Sequence, residues 1–115
     1  MKIENTFTAS VYVGLREHYT DVFHTIEEVE GVCLEYCSEV GLCVTVTPTK
    51  FIYKNGNEPG CIIGFINYPR FAESANNILQ KTIDMSRILL SKFNQYRITI
   101  VCQDKTYMLE SDGKQ

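Results

Sequence analysis

The sequence predicts an α+β fold, a ferredoxin-like βαββαβ sandwich with an appended C-terminal strand. Three features lead there: two stretches with helical apolar spacing, a strand-turn-strand unit between them, and β-rich segments before the first helix and after the second. With 115 residues, 44% hydrophobic and 22% charged, the chain has the proportions of a single globular domain over residues 1–115.

Thr6 to Arg16 is rich in β-branched and aromatic residues, with Val11, Val13 and Leu15 opposite Tyr12, Gly14 and Arg16, and reads as the first strand. A polar connection through Glu17, His18, Tyr19 and Asp21 reaches Thr25, whose hydroxyl caps a helix while Glu28 closes a capping box. Ile26, Val29, Cys33, Tyr36, Cys37 and Val40 form that helix's apolar stripe, and Gly41 supplies the left-handed residue that ends it. The second strand runs from Leu42 to Thr47 and resumes at Phe51 to Tyr53, bent at Pro48. Lys54 to Gly60, with its Asn55-Gly56 pair, reads as a hairpin loop. Cys61 to Tyr68 is then a third strand, apolar on both faces, ended by Pro69.

No proline or glycine interrupts Ala72 to Gln95, where Ile78, Leu79, Met85, Leu89, Leu90 and Phe93 fit a long amphipathic helix with Glu73 in its first turn. Tyr96 to Cys102 and Tyr107 to Glu110 close the chain as strands around the Asp104-Lys105-Thr106 turn. Tails are expected at residues 1–5 and 111–115. Two helices on one sheet face leave the other face needing cover, and the doubly apolar third strand points to neighbouring subunits, most simply a ring of three.

Eleven Lys and Arg against fourteen Asp and Glu give a net charge of −3, so no basic footprint favours nucleic acid or an anionic membrane. Without a long apolar run or a signal-peptide block, the expectation is a cytoplasmic protein. Five cysteines are an odd number with no CxxC pair, so reduced and mostly buried thiols are expected and no metal site. No P-loop, dinucleotide glycine fingerprint, Gly-x-Ser-x-Gly or His-Glu-x-x-His occurs, which disfavours the familiar hydrolases.

Polar and aromatic residues instead concentrate around the hairpin. Tyr53 and Glu58 together present a phenol, a ring face and a carboxylate able to grip a cation; alternatively Tyr53 packs across the strands and Glu58 is a solvated loop carboxylate. Thr47 and Thr49 offer hydroxyls to a ligand or to their own backbone, and Arg70 a planar fork for a carboxylate or for a surface acid. His18 and His24 read as loop or capping residues. Glu17 and Glu110 are further carboxylate candidates, with Glu110 and Tyr107 placed near another chain's hairpin if the oligomer forms.

A first strand ending Val11-Tyr12-Val13-Gly14-Leu15-Arg16 and a Val44-Thr45-Val46-Thr47-Pro48-Thr49 strand running into Tyr53 are followed by an acidic hairpin. With the long helix and the closing Ile98-Thr99-Ile100-Val101 strand, this order resembles the small bacteriophage enzymes that degrade S-adenosylmethionine (SAM), over about residues 8–110. That resemblance implies a SAM lyase acting in the infected host's cytoplasm without cofactor, as a homotrimer with active sites between chains. It further implies that Tyr53 and Glu58 contact the methionine portion, with Thr47, Thr49, Phe51, Tyr68 and Arg70 in the substrate site. The products would be 5′-methylthioadenosine and homoserine lactone. The rival reading is a non-enzymatic trimer similar to the PII and CutA proteins, which bind small ligands between subunits of the same fold.

Overall fold

Alternation along the strands decides which sheet face is buried. The computed structural model describes residues 1–111, so the tail expected at 111–115 lies, from 112 on, outside the described residues. The elements are β1 (Thr8–Gly14), α1 (Ile26–Val40), β2 (Val44–Tyr53), β3 (Gly56–Ile66), a short 3-10 turn (Pro69–Phe71), α2 (Ala75–Lys92), β4 (Arg97–Cys102) and β5 (Thr106–Glu110). The strands form one antiparallel sheet in the order β2-β3-β1-β4-β5. This is the ferredoxin-like arrangement, with β5 added along the edge of β4.

Ala9, Val11 and Val13 of β1, Cys61, Ile63 and Phe65 of β3, and Ile98 and Ile100 of β4 face the helices and are buried. They meet Val29 and Cys33 of α1 and Ile78, Met85, Leu89 and Leu90 of α2 in one core. No helix among the described residues covers the opposite face. By register it presents Tyr12, Thr47, Thr49, Phe51, Tyr53, Glu58, Ile62, Ile66, Val101 and Met108. Tyr53, Ile66, Val101 and Met108 are exposed there, a set of apolar side chains that a lone chain leaves in water.

Both ends of α1 follow their local residues. Thr25 and Glu28 make the reciprocal capping box, and Gly41 takes a left-handed φ of 70° at the C-terminus. α2 begins later than its sequence pattern indicates, at Ala75, because Tyr68-Pro69 forms a separate turn and the Ser74 hydroxyl accepts from the Asn77 N–H. Glu73 therefore precedes the cap instead of sitting in the first turn. It pairs with Lys81 at 2.8 Å, and Lys81 also donates to the Val40 carbonyl, tying the end of α1 to α2.

The hairpin departs most from expectation. β2 runs unbroken through Pro48, which lies on an edge strand where a missing donor is tolerated. The loop is only Lys54 and Asn55, with Asn55 at φ 68°, and β3 starts at Gly56, five residues earlier than expected. Pro59 fits inside β3 because its carbonyl accepts from Leu15 N on the β1 side, so its nitrogen faces the same way, beyond the last paired residue of β1. The connection from β1 to α1 also folds back, with Arg16 bridged to Phe23 and Glu17 N donating to the Val22 carbonyl.

All five cysteines are unpaired, but only Cys33 and Cys61 are buried, and Cys43 is exposed. Burial pushes the Cys33 thiol up to about 12 and Cys61 up to about 11, far from reactive thiolate behaviour.

Gly60 has no room for a side chain: a Cβ there would run into the Phe51 ring and come within 2.8 Å of the Val13 carbonyl. Gly60→Ala is expected to cost about 1–3 kcal/mol, read as a lower urea midpoint. An unchanged midpoint would contradict this packing.

Candidate functional site

Gly14 of β1 pairs with Gly60 of β3 on the open face, so the sheet is bare of side chains at that point. The Phe51 ring lies over Gly60. Beside it, over Gly14, a hollow of about 160 Å³ remains, walled by Arg16, His18, Tyr19, Phe51, Glu58, Gln95, Tyr96 and Arg97.

Glu58 is not a solvated loop carboxylate. It sits on β3 opposite Phe51, its side chain 25% exposed, with Oε1 3.4 Å from an Arg16 guanidinium nitrogen. Arg16 has firmer partners: its Nε donates to the Thr20 carbonyl at 2.6 Å and its other terminal nitrogen to the Tyr19 carbonyl at 3.0 Å. The contact with Glu58 is the longest of the three, so Glu58 can turn toward a ligand while Arg16 stays anchored. The hollow's aromatic wall is pre-assembled, with His18 stacked on Tyr96 at 4.1 Å between centroids and Tyr19 tilted against Tyr96 at 5.2 Å. At its rim Arg97 faces Glu110 at 3.9 Å.

The sequence-predicted residues divide into two groups. Thr47, Thr49, Phe51, Tyr53 and Glu58 share the open face of the β2–β3 hairpin. Tyr53 lies against Gly56 and is about half exposed, so its ring packs across the strands while one side stays free. It is a diagonal neighbour of Glu58, a separation of about 7–8 Å between backbones. Tyr68 and Arg70 follow the far end of β3, eight residues beyond Glu58 and more, or upward of about 25 Å along an extended strand. Within one chain they do not join Glu58. Tyr68 packs on Phe71 instead, and its phenol is pushed up first by contact with the Cys43 thiol and then by burial.

Arg16, His18, Tyr19, Gln95, Tyr96 and Arg97 line the hollow without having been singled out as site residues, apart from the bland reading of His18. Arg16 and Gln95 are 79 residues apart in sequence yet joined by a hydrogen bond. A larger hollow of about 360 Å³ lies between the helices, walled by Glu28, Glu35, Glu39, Tyr36 and Lys92. It gathers none of the hairpin residues, and its glutamates share one helix face with ordinary surface spacing, so the smaller hollow is the better candidate.

No family model matches the chain, and no curated protein matches it. Solved structures do. One is a phage SAM lyase in complex with S-methyl-5′-thioadenosine, with a TM-score of 0.81 and 17% identity over 96% of this chain and 93% of that one. Another is a phage SAM lyase in the apo state, with a TM-score of 0.82 and 18% identity over 95% of this chain and 92% of that one. At such identities the likeness establishes a shared fold along nearly the whole length. No helix among the described residues is long and apolar enough to cross a membrane.

The segment that carries Arg16, His18 and Tyr19 is held by His24, whose ring nitrogens lie 3.0 Å from Glu17 and 2.9 Å from Glu28. Burial is the largest single influence on His24 and would lower its pKa, but the hydrogen bonds and charges of Glu28 and Glu17 together outweigh it and raise it above 6.5. A raised histidine pKa contributes stability that is complete below the unfolded value and disappears as pH rises through the folded one. The stability lost on His24→Ala should therefore be greater at about pH 5.5 than at about pH 8.5, measured by urea midpoints. Equal losses at both would remove the proposed ion pairs from the account.

Proposed function

We propose that this chain is a SAM lyase that cleaves its substrate to 5′-methylthioadenosine and homoserine lactone in a site completed by a second copy, most simply within a homotrimer. The observation that carries the reading is Glu58: a largely covered carboxylate, loosely paired, beside an aromatic wall on the uncovered sheet face. Likeness of fold to phage SAM lyases along nearly the full chain supports it. So does size. About 160 Å³ is half the roughly 300 Å³ at which small-molecule pockets begin, as a half-site awaiting another wall would be, and the exposed Tyr53, Ile66, Val101 and Met108 lie on the face where that wall would pack.

The reaction asks little of the protein's own nucleophiles. The methionine carboxylate attacks its own Cγ; a C–O bond forms, the Cγ–S bond breaks, and its electron pair stays on sulfur as the neutral thioether leaves. No proton or water is consumed. A carboxylate and a sulfonium neutralise each other in the transition state, so transfer from water into a drier crevice favours the step. Holding the chain curled supplies the orientation. In this scheme Glu58 holds the α-ammonium and leaves the carboxylate free, Tyr53 orients the chain with its hydroxyl and ring, and Phe51 with Thr47 and Thr49 extends the wall along β2. Tyr68 and Arg70 would reach a ligand only from a neighbouring copy.

Incubation with SAM followed by chromatography tests the reading. Methylthioadenosine with homoserine lactone is the expected outcome. Homoserine carrying the oxygen of labelled water in its γ-hydroxyl would indicate hydrolysis, since opening of the lactone places that oxygen in the carboxylate, and intact SAM held tightly would favour the PII- and CutA-like binding class. Two variants then assign the roles. Tyr53→Phe should lower kcat about tenfold or more with KM within a few-fold, since an orienting contact acts on the reactive conformer. Glu58→Gln should raise KM by about 10–100-fold, the size of a lost hydrogen bond to a charged group. Full activity in either variant removes that residue from the scheme.

A further inference from the structure

Gln95 is a buried amide with an unused acceptor aimed into the hollow. It is 7% exposed and occupies the turn between α2 and β4. Its Nε2 donates to the Arg16 carbonyl at 2.7 Å and to the Phe93 carbonyl at 3.0 Å. Both amide hydrogens are thereby used, which fixes the identity of the oxygen as well as its direction. No donor among the described residues reaches Oε1. It lies over Gly14, where a Cβ would come within 2.7 Å of it. Both Gly14 and Gln95 line the hollow that contains Glu58. A glycine at position 14 thus leaves a positioned acceptor open to the hollow, which a side chain there would crowd.

An acceptor held in a fixed direction at the wall of a hollow is preorganised for an N–H or O–H donor from a ligand. The same hollow offers a carboxylate and three aromatic rings, groups that attract a cation, beside Arg16 and Arg97, whose guanidinium groups face Glu58 and Glu110. We infer that Gln95 Oε1 is the second acceptor for the ligand's primary α-ammonium, so that the hollow selects nucleoside thioethers and sulfoniums bearing a free amino-acid amine. This rests on the lyase reading and deepens it. An ammonium has three hydrogens in tetrahedral directions, and two fixed acceptors, Glu58 from β3 and Gln95 from the far side of Gly14, orient it where one would only attract it. Arg16 couples the two, its backbone carbonyl holding Gln95 and its guanidinium meeting Glu58.

The test uses unreactive ligands on the intact protein. S-adenosylhomocysteine carries the α-amine, its N-acetyl derivative has it blocked, and methylthioadenosine lacks the amino-acid portion. Affinities are measured by calorimetry for wild type, Gln95→Met and Gly14→Ala. Gln95→Met removes the acceptor but also strips two backbone carbonyls of their donor, so it can fail to fold. Gly14→Ala deletes no polar group but places a Cβ 2.7 Å from Oε1, so the amide must give way and the acceptor is displaced or covered. Wild type should prefer S-adenosylhomocysteine to its N-acetyl derivative by about tenfold or more, the size of one hydrogen bond to a charged group. In Gly14→Ala that preference should shrink to within about threefold, with the urea midpoint reporting that the fold is intact. A preserved preference in Gly14→Ala overturns the inference. A wild type that cleaves SAM yet tolerates the N-acetyl group sinks this inference and the Glu58–ammonium contact but leaves the lyase activity standing, whereas a wild type that binds none of the three ligands and leaves SAM intact sinks the lyase reading with it.

Discussion

The register of the β2–β3 hairpin governs where the candidate site residues point. A two-residue loop closed by Asn55 in a left-handed conformation pairs Tyr53 with Gly56, and from there Phe51 with Glu58, Thr49 with Gly60 and Thr47 with Ile62. Because strand side chains alternate with a period of two, slipping β3 by one residue would turn Glu58 toward the helices and Cys61, Ile63 and Phe65 toward water. Exposing three such side chains costs about 1.5–3 kcal/mol for each large one, more than any turn preference could offset. The core on one face thus holds the polar array on the other. Gly60 belongs to the same constraint, since the Phe51 ring can lie flat on the sheet only where no side chain rises beneath it.

That dependence explains what was legible in the sequence. Features decided by a few neighbouring residues could be read directly: the Thr25–Glu28 capping box, the Gly41 cap, the tight Asn55-Gly56 turn and the element order. The errors arose where tertiary contacts override local punctuation. Pro59 and Gly60 read as loop, yet Pro59 loses no ladder bond because its nitrogen points beyond the end of β1, and Gly60 is there to admit Phe51. Glu58, between Asn57 and Pro59, consequently looked like a solvated turn carboxylate. Pro69 reads as the end of the third strand, which closes earlier, at Ile66, and the turn Pro69 opens delays α2 to Ala75 and leaves Glu73 to Lys81.

Half of the hollow could not be read at all. Gln95 sits at the end of a helical pattern as an unremarkable polar residue, and its two donations reach backbone carbonyls that carry no side-chain signature. Arg16 is held by carbonyls of a fold-back that only the Arg16–Phe23 bridge creates. His18 and Tyr96 meet as a stack because Asn94 and His18, with φ of 48° and 49°, both turn the chain there, and His18 N donates to the Asn94 carbonyl. The one local clue was a pair of residue types that tolerate left-handed backbone, placed near aromatics at two distant points in the chain.

The charges around the hollow bear on the proposed chemistry. Glu58 is matched by Arg16 and Glu110 by Arg97, so these four groups carry no net charge. For a reaction that destroys charge separation, this balance is useful. A strongly acidic pocket would stabilise the sulfonium of the ground state more than the transition state, in which that charge is already fading, and would tighten binding at the expense of turnover. Paired charges with one loosely held carboxylate can instead hold the one charge that persists throughout, the α-ammonium, while the aromatic wall, and in the proposed assembly a second copy packed on the open sheet face, would exclude water from the charges that vanish. The loose 3.4 Å contact of Glu58 with Arg16 is then the point at which binding begins, since it is the contact that yields at least cost to an arriving cation.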